Sequence, residues 1–287
     1  PRRIIDRDEA VELLTATLPD LETAEVRQRL GTRKGFVWLK REITPLQQKE
    51  IHNLGIPGIG FLRENKRVYP SGSEVAHLIG LVNIDNQGIA GMEKWLDTNG
   101  LADLHRAGFA TDRLQKPVEL SIDLRVEHAL RDELLKAKEH YHAKAASGLV
   151  SNVRTGEIVA MVSLPDFDPN NPKEAHDPDR INRLTTGVYE MGSTFKAFTL
   201  AMALDSGKYD LNSMWDARAP LHFGRFTIHD DHRLGRFINM KEVFTYSSNI
   251  GAARIALAQG VEAHKAFLRK MGQMERLRTE LPESASP

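Results

Sequence analysis

The stretch that most constrains the fold runs from Ser193 to Asp205, where Ser193, Thr194, Lys196 and Thr199 are the polar interruptions in an otherwise apolar run closed by Gly207. A run of this kind predicts a central helix, buried on most sides and terminated by the glycine. Such a helix needs sheet and further helices to cover it. Lys196 is the anomaly, because a buried amine has to be paired or neutral. Ser193 precedes it by three residues, so hydroxyl and amine share one helical face a turn apart.

A serine hydroxyl at its resting pKa is a poor nucleophile and needs a neighbouring base, while a free lysine near pKa 10.4 is protonated at neutral pH. Lowering that lysine by roughly three units costs about 4 kcal/mol, which burial beside Phe195 and Phe198 and a nearby second cation could supply. Downstream, Ser247-Ser248-Asn249 stands at the junction of two predicted helices, 240–246 and 250–259. Ser247 suits proton relay between Lys196 and a leaving amine, and Asn249 can hold a substrate amide by donating and accepting together. Either motif alone is common, and a Ser-x-Asn at a helix start is usually a simple N-cap. Their combination predicts acyl transfer through a serine ester. Ser193, Lys196, Ser247 and Asn249 are the expected catalytic residues, with Ser247 and Asn249 also binding substrate.

Acidic and basic residues balance at 39 each in 287 residues, so no global field points to nucleic acid or an anionic membrane. With 27% charged and 41% hydrophobic residues the composition is that of a globular protein. The absence of cysteine removes disulfides and thiolate catalysis. No stretch approaches the roughly 18 apolar residues of a membrane span. Pro1-Arg2-Arg3-Ile4 does not read as a signal peptide, and without an initiator methionine the chain is expected to be a piece of a longer one. No cofactor is expected.

Residues 1–116 carry many turn signals and predict a small α+β domain, with short helices at Val11–Leu14 and Ala24–Leu30, a core strand at Phe36–Lys40 and a helix at Pro45–Leu54. A second domain is expected over 117–287. It opens with a strand at Val118–Ile122 and a helix over 123–144 that carries Val126, Leu130 and Leu134 on one face. A hairpin then follows, with strands at Ser147–Val153 and Glu157–Leu164 and Gly156 in its turn. His222, His229 and His232 with Asp230 and Asp231 form the one cluster suggestive of metal, but their spacing offers no helical histidine pair, and no metal site is expected. Gly55–Gly60 reads as a turn rather than a phosphate loop, and Asp166, Asp168 and Asp179 as turn formers.

Beyond the catalytic set, Arg67-Val68-Tyr69-Pro70-Ser71-Gly72, Ala76-His77-Leu78-Ile79-Gly80 and Asp85-Asn86-Gln87-Gly88-Ile89-Ala90-Gly91-Met92-Glu93 stand together. Thr155-Gly156-Glu157-Ile158-Val159-Ala160-Met161 and Phe167-Asp168-Pro169-Asn170 follow. With these the chain resembles the class B penicillin-binding proteins, most closely the FtsI type of peptidoglycan D,D-transpeptidase. The resemblance implies an α+β pedestal domain followed by an α/β (α+β), serine β-lactamase-like transpeptidase domain. It implies that Ser193 attacks the penultimate D-alanine of a stem peptide ending in D-Ala-D-Ala, that an amine from a second stem resolves the acyl-enzyme into a cross-link, and that β-lactams trap Ser193. It further implies the periplasmic face of the inner membrane, an anchor outside this chain, and division proteins on the pedestal.

Two features depart from the family. Met191 stands where proline is usual, and neither Lys-Thr-Gly nor Lys-Ser-Gly occurs before the chain stops at Ala285-Ser286-Pro287. The transpeptidase domain is therefore expected to be C-terminally incomplete and weakly active or inactive alone, with a complementing C-terminal fragment as partner, since one lost oxyanion donor costs about 10² to 10³ in rate. A β-lactamase fits less well, because no Glu-x-x-Leu-Asn follows the serine. The alternative of another class is a β-lactam sensor or a non-catalytic scaffold.

Overall fold

The computed structural model describes residues 1–99 and 117–286, and these divide into two compact units, Pro1–Val68 and Tyr69–Pro287. The domain boundary expected at 116 lies outside the described residues. Tyr69–Thr98 belongs with the second unit.

In the first unit, α1 (Arg7–Thr17), α2 (Thr23–Leu30) and α3 (Pro45–Asn53) surround a core of Ile4, Ala10, Val11, Leu14, Leu18, Val26, Leu30 and Ile51. Each start has a local cause. Asp6 accepts from the amides of Asp8 and Glu9, and Thr44 with Gln47 closes a capping box ahead of Pro45. Phe36–Lys40 is not a strand. Phe36 and Trp38 stack edge to face at 5.0 Å on the surface, and the carbonyls of Trp38 and Leu39 are taken by the Arg29 guanidinium at 2.8 Å rather than by a neighbouring strand.

The second unit is built on small antiparallel pairs: β1 (Leu81–Val82) with β2 (Gly88–Ala90), β3 (Ala146–Ser151) with β4 (Ile158–Leu164), β5 (Met214–Asp216) with β8 (Phe237–Asn239), and β6 (Leu221–Phe223) with β7 (Phe226–Ile228). The expected hairpin is present as β3 and β4, with Ser151 opposite Ile158. Val118–Ile122 is not a strand. Its chain runs beside β4 and bonds it twice, through Ser121 Oγ to the Ile158 carbonyl and the Asp123 amide to the Val159 carbonyl. Asp123 then caps a helix that lies across the hairpin, preceded in chain order by α4 (Ala76–Ile79) and α5 (Gly91–Thr98) and labelled α6 (Leu124–His140). Leu130 and Leu134 of α6 press on Gly148, where a Cβ would stand 3.0 and 3.2 Å from their methyl carbons.

Residues from the other motifs that carry the resemblance tie this unit together. Asn170 and Tyr69 exchange two hydrogen bonds of 2.9 Å each. Gly80 packs so closely on Ala90 that a Cβ would fall 1.9 Å from its carbonyl oxygen. Asp166 is more than a turn former, since it pairs with Arg131 of α6 at 2.7 Å. The remaining helices are α7 (Lys196–Asp205), α8 (Met240–Thr245), α9 (Asn249–Gln259) and α10 (Val261–Lys270). Leu200 and Ala203 of α7, Val243 of α8 and Ile250 and Ile255 of α9 share one core with Trp215, Ile238 and Met240. The expected central helix is present, but one face only is covered: Thr199, Leu200, Met202 and Ala203 are buried while Ala201 and Leu204 are exposed.

Candidate active site

Ser193 lies in a single 3-10 turn, Gly192–Phe195, and the α-helix proper begins at Lys196. Gly192 makes the sharp entry with φ +57°, a conformation that any side chain would strain. Thr194 Oγ1 donates to the Met191 carbonyl at 2.7 Å and holds that turn closed. The turn brings Ser193 and Lys196 to the same side, as their spacing predicts, and leaves Ser193 exposed.

Lys196 Nζ donates to Ser193 Oγ at 3.1 Å, to Ser247 Oγ at 2.8 Å and to the Ser247 carbonyl at 2.6 Å. Ser247 Oγ donates in turn to Ser193 Oγ at 3.1 Å, across 54 residues of sequence. The two hydroxyls and the amine thus form a closed triangle in which any member can pass a proton to the next. Burial pushes the Lys196 pKa down, and the carboxylates of Asp230 and Asp231 push it back up.

The placement of Ser247 depends on the junction of α8 and α9. Ser247 has φ +52°, a left-handed conformation that costs a non-glycine residue about 1 kcal/mol. It is held there because its amide and that of Ser248 bond back to the carbonyls of Phe244 and Val243 at 3.1 and 2.9 Å. Ser248, the middle residue, is the N-cap: it is buried, accepts from the Gly251 amide at 2.9 Å and donates to Asp230 at 2.9 Å. The cap therefore falls to Ser248, and the side chains of Ser247 and Asn249 on either side of it are left for other contacts. Asn249 donates one side-chain N–H to the His229 carbonyl at 2.8 Å, which fixes the amide plane and leaves Oδ1 and the second N–H for a ligand.

Asp230 is the residue that sequence reasoning missed. Its carboxylate also accepts from the Ile250 amide at 2.9 Å, so it anchors both the cap and the start of α9. Nothing in its spacing from Ser248 signals this, because the loop carrying it returns through β8 and α8 before reaching the site. The histidines with it are not drawn into one place: His222 Nδ1 lies 3.0 Å from Thr227 Oγ1, and His229 contributes its backbone to Asn249. Among the described residues no three histidine, aspartate or glutamate side chains are arranged to hold a metal ion.

A serine, a lysine on the next turn and a Ser-x-Asn at a helix start are the side chains that mark the transpeptidase domain of the penicillin-binding proteins. The penicillin binding protein transpeptidase domain matches residues 146–286. The chain belongs to that family. Within it the likeness runs to the FtsI type of class B penicillin-binding protein. The chain is 41% identical over 288 residues, its whole length, to the probable peptidoglycan D,D-transpeptidase FtsI of Caulobacter vibrioides, and covers 47% of that protein. It is 32% identical over 283 residues to the probable peptidoglycan D,D-transpeptidase PenA of Neisseria gonorrhoeae, with 92% of this chain and 48% of the relative aligned. The chain thus spans about half the length of the curated relatives it matches. In fold it resembles the crystal structure of penicillin binding protein 3 from Mycobacterium tuberculosis complexed with aztreonam, at TM-score 0.63 and 24% identity over 78% of this chain and 50% of that one.

Proposed function

We propose that this chain carries out the acyl-transfer chemistry of a peptidoglycan D,D-transpeptidase. The observation that supports this most is the triangle of Ser193 Oγ, Lys196 Nζ and Ser247 Oγ, with all three edges at 2.8 to 3.1 Å. In its neutral form Lys196 takes the proton of Ser193. Ser193 Oγ then bonds the carbonyl carbon of the penultimate D-alanine, and the C–N bond to the terminal D-alanine breaks. Ser247 relays the proton to the departing amine. Asn249, with its free Oδ1 and N–H, pairs with the peptide backbone. An amine from a second stem attacks the ester and restores the serine, giving a cross-link. β-Lactams acylate the same oxygen by opening their amide ring.

Burial lowers the Lys196 pKa here, toward the neutral form that can take a proton, and the carboxylates of Asp230 and Asp231 oppose it. The outer edge of β3 is unpaired among the described residues, and a complementing C-terminal segment that added strands there would cover it. By kinship with FtsI and PenA the setting is cell division at the periplasmic face of the inner membrane, with residues 1–116 as the pedestal that docks division proteins. No helix among the described residues is long and apolar enough to cross a membrane. The assembled triangle weighs against a non-catalytic scaffold.

Incubation with fluorescent penicillin, followed by denaturing electrophoresis and peptide mapping, tests the chemistry. A slow covalent label on Ser193 that Ser193→Ala abolishes is expected. A label that survives Ser193→Ala, or that maps elsewhere, would overturn the assignment.

A further inference from the structure

Beside the Ser247–Asn249 turn a cleft of about 240 Å³ opens between the segment after β5 and the start of α9, with Arg218, His229, Asp230, Arg233 and Ile250 among its walls. Two of its lining residues adjoin Asn249. His229 is the residue whose carbonyl holds Asn249, and Ile250 follows Asn249 directly. A peptide paired with Asn249 would therefore lie next to one wall of the cleft.

The charges around the cleft are not balanced locally. Asp230 spends its carboxylate on Ser248 and the Ile250 amide, and both Asp230 and Asp231 bear on Lys196. Asp216 is the other acid, and Arg218 grips it with two bonds, Nε to Oδ1 at 2.9 Å and a terminal nitrogen to Oδ2 at 3.0 Å, while lying 4.5 Å over the Phe237 ring. Arg254, one turn along α9 from Ile250, also acts on Asp216, and its buried Nε has no hydrogen-bond partner. Two guanidiniums therefore share one carboxylate. Arg233 is exposed, lines the cleft and has no hydrogen-bond or ion-pair partner among the described residues, so its planar fork of donors is available.

We propose that this cleft is a subsite for a carboxylate carried by the peptide substrate upstream of the scissile bond, with Arg233 as the residue that binds it. A guanidinium meets a carboxylate through two parallel hydrogen bonds, a geometry that a neutral amide cannot reproduce. The inference rests on the acyl-transfer reading of Ser193 and adds a preference for acidic peptides to it.

Equilibrium binding to the full chain tests this without requiring turnover. Two acetylated peptides ending in D-Ala-D-Ala and differing by one glutamate or glutamine side chain are titrated calorimetrically at low salt. The glutamate peptide is expected to bind about fivefold to tenfold more tightly. Arg233→Gln should reduce that ratio to within twofold, whereas Arg225→Gln, on the β6–β7 turn away from the cleft walls, should preserve it. Equal affinities in the unaltered chain, a ratio that survives Arg233→Gln, or a ratio lost equally in Arg225→Gln would each overturn the proposal. Penicillin labelling of the same protein separates the two readings. A label on Ser193 without the preference sinks the cleft alone, and the preference without a label leaves the cleft standing as a carboxylate site while the acyl-transfer reading fails.

Discussion

Ser247 does two jobs that a single substitution can separate. Its hydroxyl closes the triangle with Ser193 and Lys196, and its backbone turns the chain at φ +52° from α8 into α9. Glycine adopts that conformation without penalty, so Ser247→Gly removes the proton relay and keeps the turn. Acylation by fluorescent penicillin is expected to fall by about 10²-fold or more, the usual scale of a lost acid–base group. The thermal midpoint should hold or rise slightly. Unchanged acylation would show that Lys196 and Ser193 suffice. At this scale the site was legible in the sequence, since Ser193 and Lys196 lie on one turn and need no tertiary contact to meet. Asp230 was not legible, because its role exists only where its loop folds back against the start of α9.

Helix α6 docks on the hairpin through a buried acid as well as through leucines. Glu127 is fully buried, and its Oε2 accepts from the Met161 amide of β4 at 2.8 Å. Burial first, and the Glu74 carboxylate after it, push its pKa up to about 7, while the Met161 amide pulls the other way. An acid whose pKa is raised in the folded state adds nothing unfavourable below its unfolded value near 4.3. It costs stability increasingly as pH rises from there to about 7, where the cost levels off. A shift of that size corresponds to about 3 kcal/mol. Glu127→Gln keeps an acceptor for Met161 and never ionises, so its thermal midpoint should match the parent near pH 4.5 and exceed it at pH 8. Parallel pH profiles would show that Glu127 is ionised and paired in both. The apolar face of α6, with Val126, Leu130 and Leu134 four residues apart, was readable from spacing. The strands expected at Phe36–Lys40 and Val118–Ile122 were not formed, because apolar composition marks a segment as packable while only an available edge makes it a strand.

Across the second unit, residues near the end of the chain fasten segments far apart in sequence. Leu281 is buried with Leu78, Met92 and Met161, Glu283 Oε1 accepts from the Gly91 amide at 2.7 Å, and the Ala285 amide donates to the Thr185 carbonyl at 2.8 Å. This strap joins α5, β4 and the loop that leads to Ser193, and Leu281 is its apolar peg. Leu281→Ala should therefore destabilise the unit by about 2 to 4 kcal/mol, the range for an emptied leucine site. Denaturant unfolding followed by near-ultraviolet circular dichroism checks it, and a loss under 1 kcal/mol would mean that the strap is not part of the cooperative core. The sequence by itself determined the juxtaposition of Ser193 and Lys196, the hairpin and most of the described helices, because these follow from residue type at short spacing, where backbone geometry leaves few alternatives. Tertiary structure alone decided what holds Ser247 and Asn249 in place, where the compact units divide, and that Arg233 lines a cleft beside Asn249, because each depends on groups brought together from distant parts of the chain by burial of a shared core.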